Sequence, residues 1–292
     1  MSWLSGLQHI TREQEPLSAH TWLRLGGPAQ FFAEPTTIEE LTSLVLRCHE
    51  NQVPIRLIGG GSNLLVPDEG VSGLVISLSA PAFGQIEVVG QDVIAGGGAK
   101  LAHVISTSVR EGLAGLEHLA SIPGTIGAAL HANSGSRTTD IGQGLWEVTV
   151  LTRTGETVTR GRDDVRFSYR NSSLNELVIL SATFRLEHDD VGELNRRMQK
   201  LWIIKRASHP TGQKGACYVF KDPLGMTADG LIEQSGLQGA SVGGAQLFDR
   251  DANFIVVGDG ASSNDVKQLI QQVRAQVHEQ SGSDLETSIE IW

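Results

Sequence analysis

Three consecutive glycines, Gly59-Gly60-Gly61, follow at once on the apolar run Ile55–Ile58. A strand that ends this way hands the chain to a turn in which positive φ and close backbone approach are permitted, and only glycine allows both freely. Similar clusters recur at Leu25-Gly26-Gly27-Pro28-Ala29 and at Ile122-Pro123-Gly124-Thr125-Ile126-Gly127-Ala128-Ala129, and Gly96-Gly97-Gly98 follows a predicted hairpin. Consecutive glycines expose several backbone N–H groups on one side, and such a nest holds phosphate oxygens without net positive charge. The segments at 25–29, 59–65 and 122–129 therefore suggest one extended anionic ligand, although any single glycine run is more often a tight turn. None has the G-x-x-x-x-G-K-[ST] or strand–G-x-G-x-x-G–helix pattern, which argues against a P-loop and a standard Rossmann site.

The formal charge of −10 gives no support for a nucleic-acid partner, whose phosphate backbone requires a basic face. Two cysteines, Cys48 and Cys217, are too few for a disulfide framework, and neither they nor His103, His118 and His131 have metal-ligand spacing, so no metal is expected. No apolar run approaches the ~18 residues that would span a bilayer and no leading apolar segment suggests secretion, so a cytoplasmic protein without membrane association is expected.

Periodicity predicts a helix over Thr37–Asn51, where Ile38, Leu41, Leu44, Val45 and Cys48 share a face and Thr37 with Glu40 forms a capping box. Strands are predicted at Ile55–Ile58, Leu74–Leu78 and Val178–Leu186. Hairpins are expected around Gly90 and Thr154-Gly155, with a second helix from Leu101. Glu193–Arg206 reads as a connecting helix. Beyond it lie a short helix near Ala228–Ser235, a strand at Asn253–Val257, a helix over Asn264–His278 ended by Gly282, and a final alternating strand, Leu285–Trp292. Helix and strand alternate throughout, an α/β or α+β pattern.

The ordered blocks carry more information than any one of them. Thr21-x-Leu23-Arg24-Leu25-Gly26-Gly27, Gly59–Leu65 and Gly115-Leu116-Glu117-x-Leu119-Ala120-x-Ile122-Pro123-Gly124-Thr125-Ile126-Gly127 resemble the FAD-binding half of MurB-like reductases, within the vanillyl-alcohol-oxidase (PCMH) type of FAD fold. His131-Ala132-Asn133-Ser134-Gly135, Phe167–Ser172, Phe220-Lys221-Asp222-Pro223, Leu231–Gly239 and Ala252–Val256 continue the match, which covers roughly residues 18–292. The chain is short between Tyr169-Arg170 and Lys205-Arg206, as in the compact subtype that lacks an extra substrate-covering loop.

The resemblance implies an α+β protein in three parts. Residues 1–84 and 85–195 are two FAD-binding subdomains, and residues 196–292 a C-terminal α/β substrate domain. It implies an NADPH-dependent flavoprotein oxidoreductase that reduces UDP-N-acetylenolpyruvoylglucosamine to UDP-N-acetylmuramate for peptidoglycan and cell-wall synthesis. Gly59, Gly60, Gly61, Ser62, Asn63, Leu64, Pro123, Gly124, Thr125 and Gly127 are expected to hold FAD. Hydride addition beside a carboxylate leaves an enolate-like species, so the site needs a cation facing the carboxylate and a proton source. Arg170 stands at the arginine of the family's Tyr-Arg-x-Ser motif; without the motif it would read as a surface arginine after a strand.

The family's Gly-Ser-x-Phe-Lys-Asn-Pro pattern reads here Gly215-Ala216-Cys217-Tyr218-Val219-Phe220-Lys221-Asp222-Pro223. Tyr218 falls on the serine position and Cys217 one earlier, and both stay open as proton donors. The family's Leu-Glu-x-Glu-Val becomes Leu285-Glu286-Thr287-Ser288-Ile289, so Glu286 or Glu290 is expected to replace the glutamate missing at Ser288, unless both merely line a solvated strand face. Lys221, Asn253 and Glu233 are expected to contact the UDP-sugar, with a turn former and a helix cap as the plainer readings of the last two. The rival readings are another flavin oxidoreductase on the same scaffold, or a non-catalytic homologue that binds UDP-sugars.

Overall fold

The computed structural model describes residues 3–210 and 215–292. Contacts divide the chain into two units. One comprises Met1–Gln14, Gln30–Gly60 and Ser72–Ile203; the other comprises Glu15–Ala29, Gly61–Val71 and Ile204–Trp292.

Two sheets organise the first unit. In the four-stranded sheet the order is Thr11–Pro16, Pro28–Ala33, Val71–Ser77, Ile55–Ile58, and the last two run parallel. Helix α1 (Ile38–Glu50) connects Pro28–Ala33 to Ile55–Ile58. Of its predicted face, Leu41, Leu44, Val45 and Cys48 pack with Phe31, Leu74 and Ile76, whereas Ile38, in the first turn, is 48% exposed. Burial pushes the Cys48 thiol up to about 12.

The capping expectation is half met. Thr37 Oγ1 accepts the Glu40 N–H at 3.2 Å, but the Glu40 carboxylate accepts from the Thr36 N–H (2.7 Å) and hydroxyl rather than closing the box on Thr37. Those bonds to Thr36, with His9 beside them, hold the Glu40 carboxyl down to about 2.

The five-stranded sheet is antiparallel, in the order Thr157–Gly161, Leu145–Leu151, Val178–Arg185, Asp92–Gly96, Ile86–Val89. Both predicted hairpins are present, and Val178–Arg185 is central, as its β-branched and apolar content suits. Helices α2 (Leu101–Arg110) and α3 (Ile126–His131) bury Leu101, Val104, Ile105, Ile126 and Leu130 against Val148, Ala182 and Phe184 of this sheet. Helix α4 (Val191–Ser208) is the predicted connecting helix.

The second unit is built on an antiparallel sheet in the order Ala216–Tyr218, Asp251–Val257, Ala245–Phe248, Ser241–Val242. Helices α5 (Ala228–Gln234) and α6 (Ser263–Ser281) cover it. The predicted stripe Val266, Leu269, Ile270, Val273 and Val277 is buried with Val219, Phe220, Leu247 and Ile255. Gly282 caps α6 at φ +69°, the left-handed residue expected there.

The final segment differs from expectation. Only Glu290–Ile291 is strand, paired in parallel with Leu64–Leu65, plus a single bridge from Phe220 to Thr287. Leu285 and Ile289 are its buried anchors, and the residues between them form no ladder beyond that bridge, so the continuous strand expected over Leu285–Trp292 is not present. Among the described residues no helix is long and apolar enough to cross a membrane.

Thr37→Ala removes the cap of α1 and is expected to destabilise the protein by about 1 kcal/mol in urea unfolding. An unchanged midpoint would show that the Thr36–Glu40 bonds suffice.

Candidate active site

Two of the glycine segments lie backbone to backbone in the first unit. A β-carbon on Gly60 would stand 3.0 Å from Gly124 Cα, and one on Gly59 would stand 2.8 Å from Thr125 Oγ1. The run Gly96–Gly98 joins them. Gly127 N–H donates to Gly97 O (2.8 Å), Leu101 N–H to Gly124 O (3.0 Å), and a β-carbon on Gly97 would meet Ile179 O at 1.9 Å. Sequence reading treated Gly96–Gly98 only as the end of a hairpin; a third glycine run directly after a strand was the signal available.

The remaining glycine positions fall in the second unit, and packing accounts for them. β-Carbons on Gly26 and Gly27 would meet Val66 Cβ at 2.6 Å and Asp68 O at 2.2 Å, and one on Gly61 (φ +63°) would meet His20 O at 2.0 Å. Asn63 donates its amide to Ser288 O (2.7 Å) and accepts the Glu290 N–H at its carbonyl (3.0 Å), so it anchors the C-terminal segment. Of the residues expected to hold FAD, the structure thus gathers Gly59, Gly60, Pro123, Gly124, Thr125 and Gly127 in one unit. Gly61, Ser62, Asn63 and Leu64 belong to the other.

Beside the gathered residues one buried polar atom is left for a ligand such as FAD. Ser121 Oγ, just before the Ile122–Gly127 turn, is buried without a hydrogen-bond partner among the described residues. Such an atom costs about 1–3 kcal/mol until something bonds it.

Arg170 is the second loop residue of a hairpin between Phe167–Ser168 and Asn171–Ser172, and its φ is +56°. The left-handed region costs a non-glycine residue about 1–2 kcal/mol, and such strain persists only where the surroundings impose it. Here the end of α3 imposes it. Buried Asn133 donates to Ser168 O (2.8 Å) and to Asp140 Oδ2 (3.1 Å), Ser172 Oγ donates to His131 O (2.8 Å), and the Arg137 guanidinium lies 4.1 Å from the Tyr169 ring centre. The His131–Gly135 and Phe167–Ser172 blocks, 31 residues apart in sequence, are thereby one structure. His131 sets Nδ1 3.1 Å from Leu174 O.

In the second unit, strand alternation separates the two proton-donor candidates. Cys217 pairs with Ile255 and points into the core beside Val219 and Phe220, where burial pushes its thiol up to about 12. Tyr218 pairs with Phe254 on the other face, is half-buried, and packs its ring edge to face on Phe254 at 5.4 Å.

The next residues are held by Asn253, which is buried. Its Oδ1 accepts the Phe220 N–H (2.8 Å) and its Nδ2 donates to Phe220 O (2.9 Å), so the amide stands in for a paired strand. Lys221 lies 3.3 Å from Glu286, whose side chain is largely exposed. Glu290 accepts from Trp292 Nε1 (3.1 Å), Ser288 donates its N–H to Val219 O, and Glu233 is exposed on α5. Sequence reading missed Asp222, whose Oδ1 lies 3.5 Å from Tyr218 Oη and accepts the Ala228 N–H at 2.9 Å.

This is a flavin-binding fold followed by a second domain, and comparison with known proteins resolves it further. Residues 29–161 match the FAD binding domain family, and residues 209–292 match the C-terminal domain of UDP-N-acetylenolpyruvoylglucosamine reductase. A curated relative from Rhodopirellula baltica bearing that reductase's name is 41% identical over 286 residues, spanning 98% of this chain and 94% of its own. A relative of the same name from Listeria innocua is 39% identical over 95% of this chain and 93% of its own. The crystal structure of UDP-N-acetylenolpyruvylglucosamine reductase from Thermus caldophilus superposes with a TM-score of 0.83 at 32% identity, covering 97% of this chain and 99% of that one. The chain belongs to the UDP-N-acetylenolpyruvoylglucosamine reductase family.

Arg170→Gly relieves the left-handed strain that Arg170→Ala keeps. The glycine variant is therefore expected to be more stable than the alanine variant by about 1 kcal/mol in urea unfolding. Equal midpoints would mean that the hairpin relaxes away from positive φ.

Proposed function

We propose that this chain reduces the enolpyruvyl ether of UDP-N-acetylenolpyruvoylglucosamine to UDP-N-acetylmuramate, in the cytoplasm, as a step of peptidoglycan synthesis. The observation that carries the reading is the locking of the strained Arg170 hairpin onto α3, the helix that starts from the Ile122–Gly127 turn. The two sheets of the first unit hold FAD, and residues 196–292 carry most of the substrate contacts. Bound FAD, reduced by NADPH, supplies the hydride.

The chain's own residues then manage charge and proton. Hydride addition at the terminal CH2 carbon places an electron pair on the carbon bearing the carboxylate, delocalised onto the carboxylate oxygens. The Arg170 guanidinium stays charged and grips both oxygens, an interaction that strengthens as the charge develops. Tyr218 delivers the proton: its O–H bond breaks, a C–H bond forms at the carbon bearing the carboxylate, and the phenolate recovers a proton from water. The core position of Cys217 favours Tyr218 over it. Lys221 serves the substrate's diphosphate. Asn253 acts by fixing the Phe220–Lys221 backbone, and Glu286, paired to Lys221, is better placed than Glu290 to tune that cation.

Purified protein should show a flavin spectrum and oxidise NADPH only when UDP-N-acetylenolpyruvoylglucosamine is present. Flavin without substrate-dependent oxidation would favour another oxidoreductase on this scaffold or a non-catalytic homologue. Arg170→Ala should keep flavin yet lose at least a hundredfold in turnover, on the order of an oxyanion donor's contribution. Tyr218→Phe should be severely impaired and Cys217→Ala mild; the reverse pattern would reassign the donor.

A further inference from the structure

Two of the three points at which this chain leaves the Gly-Ser-x-Phe-Lys-Asn-Pro pattern stand against each other in space. Tyr218 occupies the serine position and Asp222 the asparagine position. Tyr218 Oη lies 3.5 Å from Asp222 Oδ1, longer than the ~2.7–2.8 Å of an ordinary O–H···O bond. The carboxylate is nonetheless pinned, because the same oxygen accepts the Ala228 N–H at 2.9 Å. The phenol ring is fixed from its other side by Phe254.

The surroundings are acidic. Asp229 and Glu233 project from α5 and Asp251 from the central strand. The Asp251 carboxyl is pushed up to about 6, first by burial and then by Asp229, Asp222 and Glu233. Lys221 is 3.3 Å from Glu286, and His209, 3.7 Å from Asp251, is held down to about 4 by burial and by Lys205, so it is neutral near pH 7.

We propose that Asp222 is a positioning residue that fixes the Tyr218 hydroxyl and keeps it protonated at alkaline pH. The inference rests on Tyr218 being the proton donor. A phenol ionises near pH ~10, far more readily than a serine hydroxyl, so a tyrosine donor has an alkaline limit that a serine lacks. A carboxylate beside it opposes the second negative charge and moves that limit upward. A neutral asparagine amide keeps the acceptor oxygen but supplies no charge, which gives the paired change a physical reason.

The chain contains two tyrosines, Tyr169 and Tyr218, so holoenzyme labelled with 13Cζ-tyrosine gives two resonances, assigned with Tyr218→Phe. In Asp222→Asn, where the Ala228 N–H retains an acceptor, Tyr218 is expected to titrate about one pH unit lower than in the unsubstituted protein. The alkaline limb of turnover should move down with it. Titration of Tyr218 at the same pH in both proteins overturns the role of Asp222. Near-full turnover by Tyr218→Phe would instead remove the donor assignment on which that role depends.

Discussion

Backbone packed directly on backbone is the constraint from which the first unit follows. Gly60 lies on Gly124, Gly97 lies under Ile179 O, and Gly127 N–H reaches Gly97 O. A methyl group on Gly97 would have to occupy space already held by main-chain atoms, and one on Gly60 or Gly127 would press on main chain at 3.0 and 3.1 Å. Because the main chain cannot rotate out of the way as a side chain can, the strand ends and the start of α3 are set relative to one another without any side-chain choice. The turn before α3 and the hairpin after it inherit that placement. Asn133 then extends it to Ser168 and so to Arg170.

The second unit solves the same problem with an amide. Asn253 bonds both backbone groups of Phe220 and so replaces a strand that is not there. Truncation would leave a buried N–H and a buried C=O unsatisfied, each costing about 1–3 kcal/mol. The segment that carries Tyr218, Lys221 and Asp222 is therefore ordered by a residue more than thirty positions later, and the C-terminal residues 286–291 complete its edge.

Much of this was legible in the sequence because it depends on periodicity and on glycine. Helices α1 and α6 declare themselves by apolar stripes and caps, and Arg170 by its motif. The unread parts depend on three-dimensional partners. The Asp222–Tyr218 approach comes from α5 pinning a carboxylate, which no local pattern encodes. The 285–292 segment has a strand-like composition, but only Glu290–Ile291 finds a strand partner, Leu64–Leu65, and Thr287 a single bridge to Phe220. The glycines at 26, 27 and 61 are crowded by neighbouring protein atoms, as those at 59, 60 and 127 are, and sequence cannot distinguish a close ligand from a close loop. Cys217 and Tyr218 looked equivalent until the pairing with Ile255 and Phe254 assigned them to opposite faces.

Each unit holds one of the chain's two thiols, Cys48 in the first and Cys217 in the second, and both are buried and protonated far above neutral pH. A thiol reacts as its thiolate, so in the folded molecule both thiols are shielded from alkylating agents. The two cysteines are thus built-in clocks. The rate at which each becomes modified measures how often its own unit opens, and isotope-coded alkylation followed by peptide mapping would read the breathing of the flavin and substrate halves separately in one sample.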